Sequence, residues 1–243
     1  MKGFLLILTV LAVFTAGNQK KTSVYTIGDS TMANKKQEVY PETGWCQVLN
    51  RFFDDRVVVK NHAVNGRSTK SFINEGRWKA VLDSLRPGDY VFIQFGHNDE
   101  KSNDTTRYTT PFDSYAANLE KFVAETRMKK AIPILLTPIV RRKFDGSGKL
   151  VPTHGQYPEA IKQVAQKLKV PFIDMEKLTG EMIEATGDEP SKKLYLWTAP
   201  DSRFPDSRKD NTHLSVEGAT RMAGLAAGEL KKMNLKLSKH VRN

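Results

Sequence analysis

Two kinds of apolar segment alternate along this chain. Short runs of β-branched and aromatic residues predict buried β-strands, because such side chains suit a pleated backbone. These runs cover residues 24–27, 56–60, 90–95, 132–136 and 171–174. Longer segments with apolar residues at helical spacing predict α-helices over residues 44–53, 77–85, 111–129, 157–168, 175–186 and 216–232. Ser215 stands where the N-cap of the last helix is expected.

The alternation of strands and helices predicts a parallel sheet covered by helices on both faces. The chain contains no internal repeat, low-complexity tract or linker, so a single domain is expected over residues 18–243. Residues 187–209 follow neither period and predict an irregular segment. That segment is the best candidate for a mobile lid.

The first residues predict a signal peptide rather than part of the fold. Lys2 gives a positive start, residues 4–14 are apolar, and residues 15–17 are small ones at a plausible cleavage point. The apolar run is shorter than the roughly 20 residues that span a bilayer, and no cysteine follows it as a lipid anchor. We expect residues 1–17 to be removed and the mature protein to be exported without membrane insertion. A periplasmic or extracellular location is expected, and a bacterial source is favoured.

The cysteine count and the net charge restrict the kind of fold and the class of molecule that the protein is expected to bind. Cys46 is the lone cysteine and excludes an internal disulfide, so the fold depends on its apolar core. The formal net charge of +11 favours polyanionic partners. Nucleic acid is a poor candidate for this partner, because the protein is expected to be exported. Its basic residues are also not interleaved with aromatic ones, as they are in many nucleic-acid-binding proteins. An acidic polysaccharide fits better, and simple solubility is the alternative explanation of the charge.

Three predicted strands end in polar turns that contain glycine. These turns are Gly28-Asp29-Ser30, Asn65-Gly66-Arg67 and Gly96-His97-Asn98-Asp99. Because the carboxyl ends of parallel strands meet at one edge of a sheet, the three turns are expected to lie together there. Ser30 can then point its hydroxyl into a crevice while its backbone N–H stays free. Any one of these motifs alone would be read as an ordinary turn.

A fourth block precedes the last predicted helix. Asp210 stands three residues before His213, in a predicted loop. This spacing lets the carboxylate reach Nδ1 and fix the tautomer, so that Nε2 can take a proton from a hydroxyl. The parts for acyl transfer are therefore present. Three other histidines are too scattered to form a metal site, namely His62, His154 and His240.

In this order the four blocks resemble those of the SGNH (GDSL-type) hydrolases, over nearly the whole mature chain. Details of the first three blocks, and residues 137–144, are similar to the rhamnogalacturonan acetylesterase branch. The resemblance implies a flavodoxin-like three-layer α/β/α sandwich with a central five-stranded parallel sheet. It also implies a secreted serine esterase that deacetylates pectic polysaccharide through an acetyl-serine intermediate, with no cofactor.

The resemblance also gives the site residues their roles. Ser30 is the expected nucleophile, His213 the general base and then acid, and Asp210 the acid that orients His213. The backbone N–H groups of Ser30 and Gly66 and the side-chain amide of Asn98 form the expected oxyanion hole. The alternatives are that Gly66 only shapes a tight turn and that Asn98 only caps its loop.

Two neighbouring residues of the same blocks receive structural roles. Asp29 is expected to brace the turn that carries the serine rather than to act in catalysis. His97 is expected to hold its loop rather than to act as an acid or base.

The expected substrate is an acetylated, acidic plant polysaccharide or oligosaccharide. Basic loop residues are the candidates for contacts with its carboxylates, namely Arg67, Arg141, Arg142 and Arg203. The rival enzyme hypotheses are an esterase for another acetylated glycan such as xylan, and a lysophospholipase or thioesterase. A lipid enzyme is expected to show an apolar stripe rather than these arginines. A non-catalytic glycan-binding module is expected to have lost Ser30, Asn98 or His213, and all three are present.

Overall fold

The computed structural model describes residues 21–202 and 204–242, and a parallel five-stranded sheet lies at its centre. Its strands are β1 (Thr22–Gly28), β2 (Val57–Asn61), β3 (Tyr90–Gln94), β4 (Ile132–Leu136) and β5 (Phe172–Ile173). They lie in the order β2-β1-β3-β4-β5. The five predicted strands are thus confirmed, with β5 shorter than expected. The strand order reverses between β1 and β3, which is where sheets of this kind bind ligands.

Helices from the chain segments between and after these strands cover the two faces of the sheet. They are α1 (Trp45–Val48), α2 (Thr69–Asn74), α3 (Arg77–Ser84), α4 (Ala116–Met128), α5 (Tyr157–Leu168), α6 (Met175–Thr186), α7 (Asp188–Ser191) and α8 (Val216–Lys232). A π-helical turn, Pro111–Tyr115, leads into α4. Helices α5, α6 and α8 match their predicted bounds, and the Ser215 hydroxyl caps α8 by accepting a hydrogen bond from the Gly218 N–H at 3.1 Å.

The sheet separates two apolar clusters. Alternate side chains of β3 enter opposite clusters, Phe92 on one face and Ile93 on the other. One cluster receives buried side chains from α1, α6 and α8, and the other from α2, α3, α4 and α5. The expected three-layer α/β/α sandwich is therefore confirmed.

The expectation that residues 187–209 are irregular is wrong for residues 188–198 and 208–209, whereas residues 199–202 and 204–207 lie in no helix or strand. After α7, strands β6 (Tyr195–Thr198) and β7 (Arg208–Leu214) form an antiparallel pair in which Leu196 lies opposite Asp210. Strand β6 has only four residues, which is too short to give a periodic signal. The block from Asp210 to His213 consequently lies in a strand, where a loop was expected. Because β6 pairs with the strand that carries Asp210, we do not retain the lid interpretation.

Two local differences follow from short elements. The helix expected over residues 44–53 is α1 followed by a tighter 3₁₀ turn, Leu49–Phe52. Helix α2 was not predicted, because six residues carry little periodicity. Its N-terminus is a reciprocal capping box: the Ser68 hydroxyl accepts the Ser71 backbone N–H at 3.2 Å, and the Ser71 hydroxyl accepts the Ser68 backbone N–H at 2.9 Å.

The predicted signal peptide, residues 1–17, lies outside the described residues. Within residues 21–202 and 204–242, no helix combines the length and the apolar character that crossing a bilayer requires. The assignment of residues 18–243 to one domain stays a prediction.

Candidate active site

Ser30 lies in a tight turn directly after β1, beside the point where the strand order reverses. Gly28 has no room for a side chain, since a Cβ there would lie 2.5 Å from the backbone oxygen of Gln94. Asp29 is fully buried, and its carboxylate accepts hydrogen bonds from the backbone N–H and the hydroxyl of Thr31, at 2.9 and 2.8 Å. The turn is therefore braced from inside by Asp29, as expected, and Ser30 lines a cavity on the other side.

His213 reaches Ser30 from the far end of the chain. Its Nε2 lies 2.9 Å from the Ser30 Oγ, and its Nδ1 lies 2.7 Å from Oδ2 of Asp210. The other carboxylate oxygen of Asp210 accepts the backbone N–H groups of Thr212 and His213, at 2.7 and 2.9 Å. The structure thus brings together the three residues that the sequence singled out, although Ser30 and His213 are 183 positions apart.

The proton positions in this group follow from the state of Asp210. Burial raises the pKa of its carboxyl, but the hydrogen bonds and charge of His213 and the Thr212 N–H outweigh burial and lower the pKa to about 2. An ionised carboxylate only accepts, so the proton between the two side chains belongs to Nδ1 of His213. Nε2 is then free to accept the Ser30 hydroxyl proton, which is the arrangement of a nucleophile beside its general base.

Hydrogen-bond donors for a negatively charged oxygen surround the same cavity. Gly66 has a φ of +76°, a conformation that favours glycine, and it lines the cavity with Ser30 and Asn98. Among the described residues, none accepts a hydrogen bond from the backbone N–H of Ser30 or of Gly66. The Asn98 amide donates to the Arg67 carbonyl at 3.1 Å and keeps a second N–H. These are the three donors expected for an oxyanion hole.

The cavity has a volume of about 550 Å³, within the range of small-molecule sites. Apart from Gly66, every residue that lines it carries a polar or charged side chain. Carboxylates of Glu42 and Asp210 lie in its wall, together with the cations of Lys101 and Arg141. Among the described residues, none that lines this cavity has an aliphatic or aromatic hydrocarbon side chain, whereas an apolar stripe was the feature expected of an enzyme for lipids.

Two of the four predicted arginines lie at or beside this cavity. Arg141 lines it, forms an ion pair with Glu100, and donates to the backbone oxygen of His97 at 3.3 Å. Arg67 lines a neighbouring cavity that also includes Gly66, and its Nε lies 3.0 Å from a carboxylate oxygen of Glu75. Both guanidinium groups are therefore held by internal carboxylates.

The other two predicted arginines are not at the cavity. Arg142 is buried, donates to the Ser191 hydroxyl and the Asn211 side chain at 3.0 and 3.1 Å, and forms an ion pair with Asp188. Its guanidinium therefore connects α7 to β7, and its predicted role in substrate contact is corrected to a structural one. The sequence could not distinguish it from its neighbour Arg141. Arg203 lies outside the described residues.

An ion cluster in the cavity wall was not predicted. Glu42 accepts from Lys35 Nζ at 2.8 Å and from Arg208 Nη2 at 3.0 Å. Burial raises the pKa of Glu42, but the two cations outweigh burial and lower it. Lys35 Nζ also donates to Asn65 Oδ1 at 2.8 Å, which connects the cluster to the residue before Gly66. Glu42 and Lys35 belong to no predicted element, so no pattern in the sequence marks them.

A second histidine–aspartate pair adjoins the cavity, and its histidine, His97, is one of the residues that line it. Nδ1 of His97 is 3.1 Å from Oδ2 of Asp29, and both side chains are buried. Within the described part of the chain, the His97 Nε2 has no hydrogen-bond partner. Burial lowers the pKa of His97 to about 4, against the opposing charge of Asp29, so this imidazole is neutral at neutral pH. Its contact with the serine turn agrees with the structural role expected of His97.

The fold and the site define a class of protein. Residues 26–221 match the GDSL-like Lipase/Acylhydrolase family, and the chain belongs to that family. The resemblance to SGNH (GDSL-type) hydrolases is thereby confirmed.

Individual members of the family can be compared with this chain by sequence and by structure. The rhamnogalacturonan acetylesterase RhgT of Bacillus subtilis (strain 168) is 40% identical over 225 residues, which cover 92% of this chain and 95% of that protein. A rhamnogalacturonan acetylesterase of Emericella nidulans is 29% identical over 83% of this chain and 81% of its own. The solved structure of the Bacillus subtilis protein YxiM superposes with a TM-score of 0.76 at 27% identity, over 90% of this chain and 58% of that one. The first two relatives are named as carbohydrate acetylesterases, which agrees with the expected class of enzyme.

Proposed function

We propose that this protein is an exported serine esterase that removes acetyl groups from pectic polysaccharide, in particular from rhamnogalacturonan. The observation that carries the proposal is the contact of 2.9 Å between the Ser30 hydroxyl and the His213 imidazole. The identity of 40% to a named rhamnogalacturonan acetylesterase supports the choice of substrate.

In the first proposed step, Ser30 Oγ attacks the acetyl carbonyl carbon while His213 Nε2 takes the hydroxyl proton. The carbonyl oxygen becomes an oxyanion, for which the N–H groups of Ser30, Gly66 and Asn98 are the donors. The sugar oxygen then leaves and takes the proton from Nε2. The products of this step are a free sugar hydroxyl and an acetyl group on Ser30.

In the second step, water attacks the acetyl-serine, and His213 Nε2 removes a proton from that water. The second oxyanion collapses, acetate leaves, and the Ser30 oxygen recovers the proton. Each step is an acyl transfer, so one difficult hydrolysis is divided into two easier ones. Asp210 holds the imidazole in one tautomer during both steps. The proposed reaction needs no cofactor.

Charge supports an acidic glycan as substrate. The chain carries a net charge of +11, and Lys101 and Arg141 line the cavity. Exposed ionic contacts weaken as salt is added, because the screening length is about 10 Å at 0.1 M ionic strength. KM for acetylated pectic oligosaccharides is expected to rise with ionic strength, while KM for a neutral aryl acetate stays constant. The same salt response for both substrates would contradict an acidic-glycan site.

Export is part of the proposal and rests on the pattern of residues 1–17. Expression of the full chain in a bacterium is expected to yield a mature protein outside the cytoplasm. N-terminal sequencing is expected to find cleavage close to residue 17. Full-length protein in the cytoplasm would contradict export and leave the proposed reaction untouched.

The experiment that tests the substrate is acetate release from a panel of acetylated rhamnogalacturonan, homogalacturonan, xylan and acyl lipids. The highest kcat/KM is expected on acetylated rhamnogalacturonan. Ser30→Ala prepared in parallel shows how much release is independent of the site. A clear preference for xylan or lipid would overturn the proposed substrate while keeping the esterase mechanism.

A further inference from the structure

A second cavity, of about 420 Å³, adjoins the one that contains Ser30. The two share Glu42 in their walls. The second cavity lies along the segment between β1 and β2, and its polar and aromatic lining includes Lys36, Tyr40, Gln47 and Arg51. None of these four residues has a role in the reaction described above.

Tyr40 supplies an exposed aromatic ring to this cavity. Its side chain is 48% exposed, and the other exposed large apolar side chains of the described residues, Phe112 and Met128, line neither cavity. A tyrosine ring has an apolar face and a polar tip. The C–H face of a sugar ring packs on such a surface while its hydroxyls stay hydrated.

Lys36 and Arg51 supply positive charge to the same cavity. Both are exposed, and neither forms an ion pair with any residue of the described chain. This distinguishes them from Arg67, Arg141 and Arg208, which internal carboxylates hold. An unpaired guanidinium matches the geometry of a carboxylate.

Gln47 supplies an oriented donor. Its Oε1 accepts the backbone N–H of Lys35 at 2.8 Å, so the amide NH₂ remains for a ligand. Gln47 lies in α1 and Arg51 in the 3₁₀ turn that follows it, and both line the second cavity.

The boundary between the two cavities does not repel an acidic chain. Glu42 forms that boundary, and its carboxylate is bound to Lys35 and Arg208. The cluster as a whole carries one positive charge. A polymer with carboxylates can therefore extend from one cavity into the other.

We propose that the second cavity is a glycan subsite that binds a uronic acid residue of the same chain as the acetylated sugar. Tyr40 packs on the sugar ring, Arg51 and Lys36 bind its carboxylate, and Gln47 donates to a hydroxyl. The inference rests on the proposed function, because it assigns a place to a neighbouring residue of that substrate.

Binding without turnover tests the subsite separately from the reaction. The probe is a short, unacetylated rhamnogalacturonan oligosaccharide, titrated into the whole mature protein by calorimetry. Arg51→Gln is expected to weaken binding about threefold to fivefold, the effect of one exposed ion pair. Tyr40→Ala is expected to weaken it about fivefold. All the substituted side chains are exposed, so folding is not at risk.

Two controls define the chemistry. Lys236→Gln removes an exposed cation beside Thr22 and Tyr90, at the amino ends of the strands, and is expected to leave the dissociation constant unchanged. The same oligosaccharide with its carboxyl groups reduced to alcohols is expected to bind Arg51→Gln and the unsubstituted protein equally. Tyr40→Ala is expected to weaken binding of both oligosaccharides.

The outcomes separate this inference from the proposed function. Equal affinity of Arg51→Gln and Lys236→Gln for the acidic probe overturns the subsite, even where acetate is released from pectic oligosaccharides. Absence of binding to the unsubstituted protein overturns it as well. Binding that depends on Arg51 and Tyr40, without acetate release from any acetylated pectic oligosaccharide, supports the subsite and overturns the proposed substrate of the reaction.

Discussion

The His213–Asp210 pair and the His97–Asp29 pair both join an imidazole Nδ1 to a carboxylate, at 2.7 and 3.1 Å. Their surroundings differ. The side chains of His213 and Asp210 are each 30% exposed, and the His213 Nε2 faces the Ser30 hydroxyl. His97 is only 4% exposed, and its Nε2 has no partner among the described residues.

This difference teaches which features make a histidine useful as a base. A general base takes a proton from a donor that lies within hydrogen-bond distance of it, directly or through one water. His213 has such a donor in Ser30, whereas His97 is kept neutral by burial and its Nε2 has no donor among the described residues. The same two residue types therefore serve acyl transfer in one pair and the stability of the serine turn in the other.

The largest expected effect is on the pair that faces Ser30. His213→Ala is expected to lower kcat on an aryl acetate by about 10⁴–10⁶, as when a triad histidine is removed. Single-turnover and steady-state rates measure the loss. His97→Asn is the matched substitution in the buried pair, because the asparagine amide can replace Nδ1 as a donor to Asp29. An equal loss of kcat in both variants would show that the two pairs are not functionally distinct.

The second effect concerns the acid that orients His213. Asp210→Asn is expected to favour the wrong imidazole tautomer and to lower kcat by less than the roughly 10⁴ seen in a buried triad. The loss is smaller because Asp210 is partly exposed and water can replace part of its role. The pH–rate profile is the second readout, since His213 loses its carboxylate partner. An unchanged rate and profile would contradict the contact with His213.

The third effect concerns Asn98, which lines the cavity beside His97. Asn98→Ala is expected to lower kcat by about 10²–10³ with little change in KM, as for other single oxyanion donors. If Asn98 only caps its loop, the substitution instead lowers stability by about 1 kcal/mol and leaves kcat near normal. Measuring kcat and Tm on one preparation separates the two. Loss of Tm alone would leave a two-membered oxyanion hole.

The smallest effect on activity, and the sharpest on stability, concerns His97. The pKa of the His97 imidazole is about 4 in the folded protein, below its ordinary value of 6.5, which applies to the unfolded chain. The unfolded chain therefore binds the proton first as pH falls. Stability from this group is therefore present above pH 6.5 and lost between pH 6.5 and 4, by about 3 kcal/mol at 1.36 kcal/mol per unit. Urea unfolding at several pH values measures the loss.

His97→Asn is expected to remove this contribution. Burial raises the pKa of Asp99 to about 7 against hydrogen bonds from Thr69 and Thr109, which gives an opposite slope in both proteins. The difference between the two curves is therefore the readout. Parallel curves would mean that His97 does not titrate with the shift described here.

Some parts of the fold and the site could be predicted from the sequence, and others could not. Long periodic segments such as α5 and α8 were predicted to the residue, because an apolar stripe and, for α8, the Ser215 cap are local signals. Ser30, Asp210 and His213 were predictable from turn position and spacing. The burial of Arg142, beside the cavity-lining Arg141, was not predictable, because neighbouring residues with the same charge differ only in the tertiary contacts they make. Glu42 and Lys35 were not predicted either. They lie outside any predicted element, and only tertiary contacts bring them to the cavity.

The central claim, that Ser30 is the nucleophile of an acetyl-transfer reaction, is tested most directly by covalent labelling. The mature protein is treated with a serine-directed organophosphate and digested, and the adduct is located by mass spectrometry. The account predicts one adduct, on Ser30, formed in proportion to the loss of esterase activity and absent from Ser30→Ala and His213→Ala. An adduct on another serine that abolishes activity, or full activity in Ser30→Ala, would contradict it.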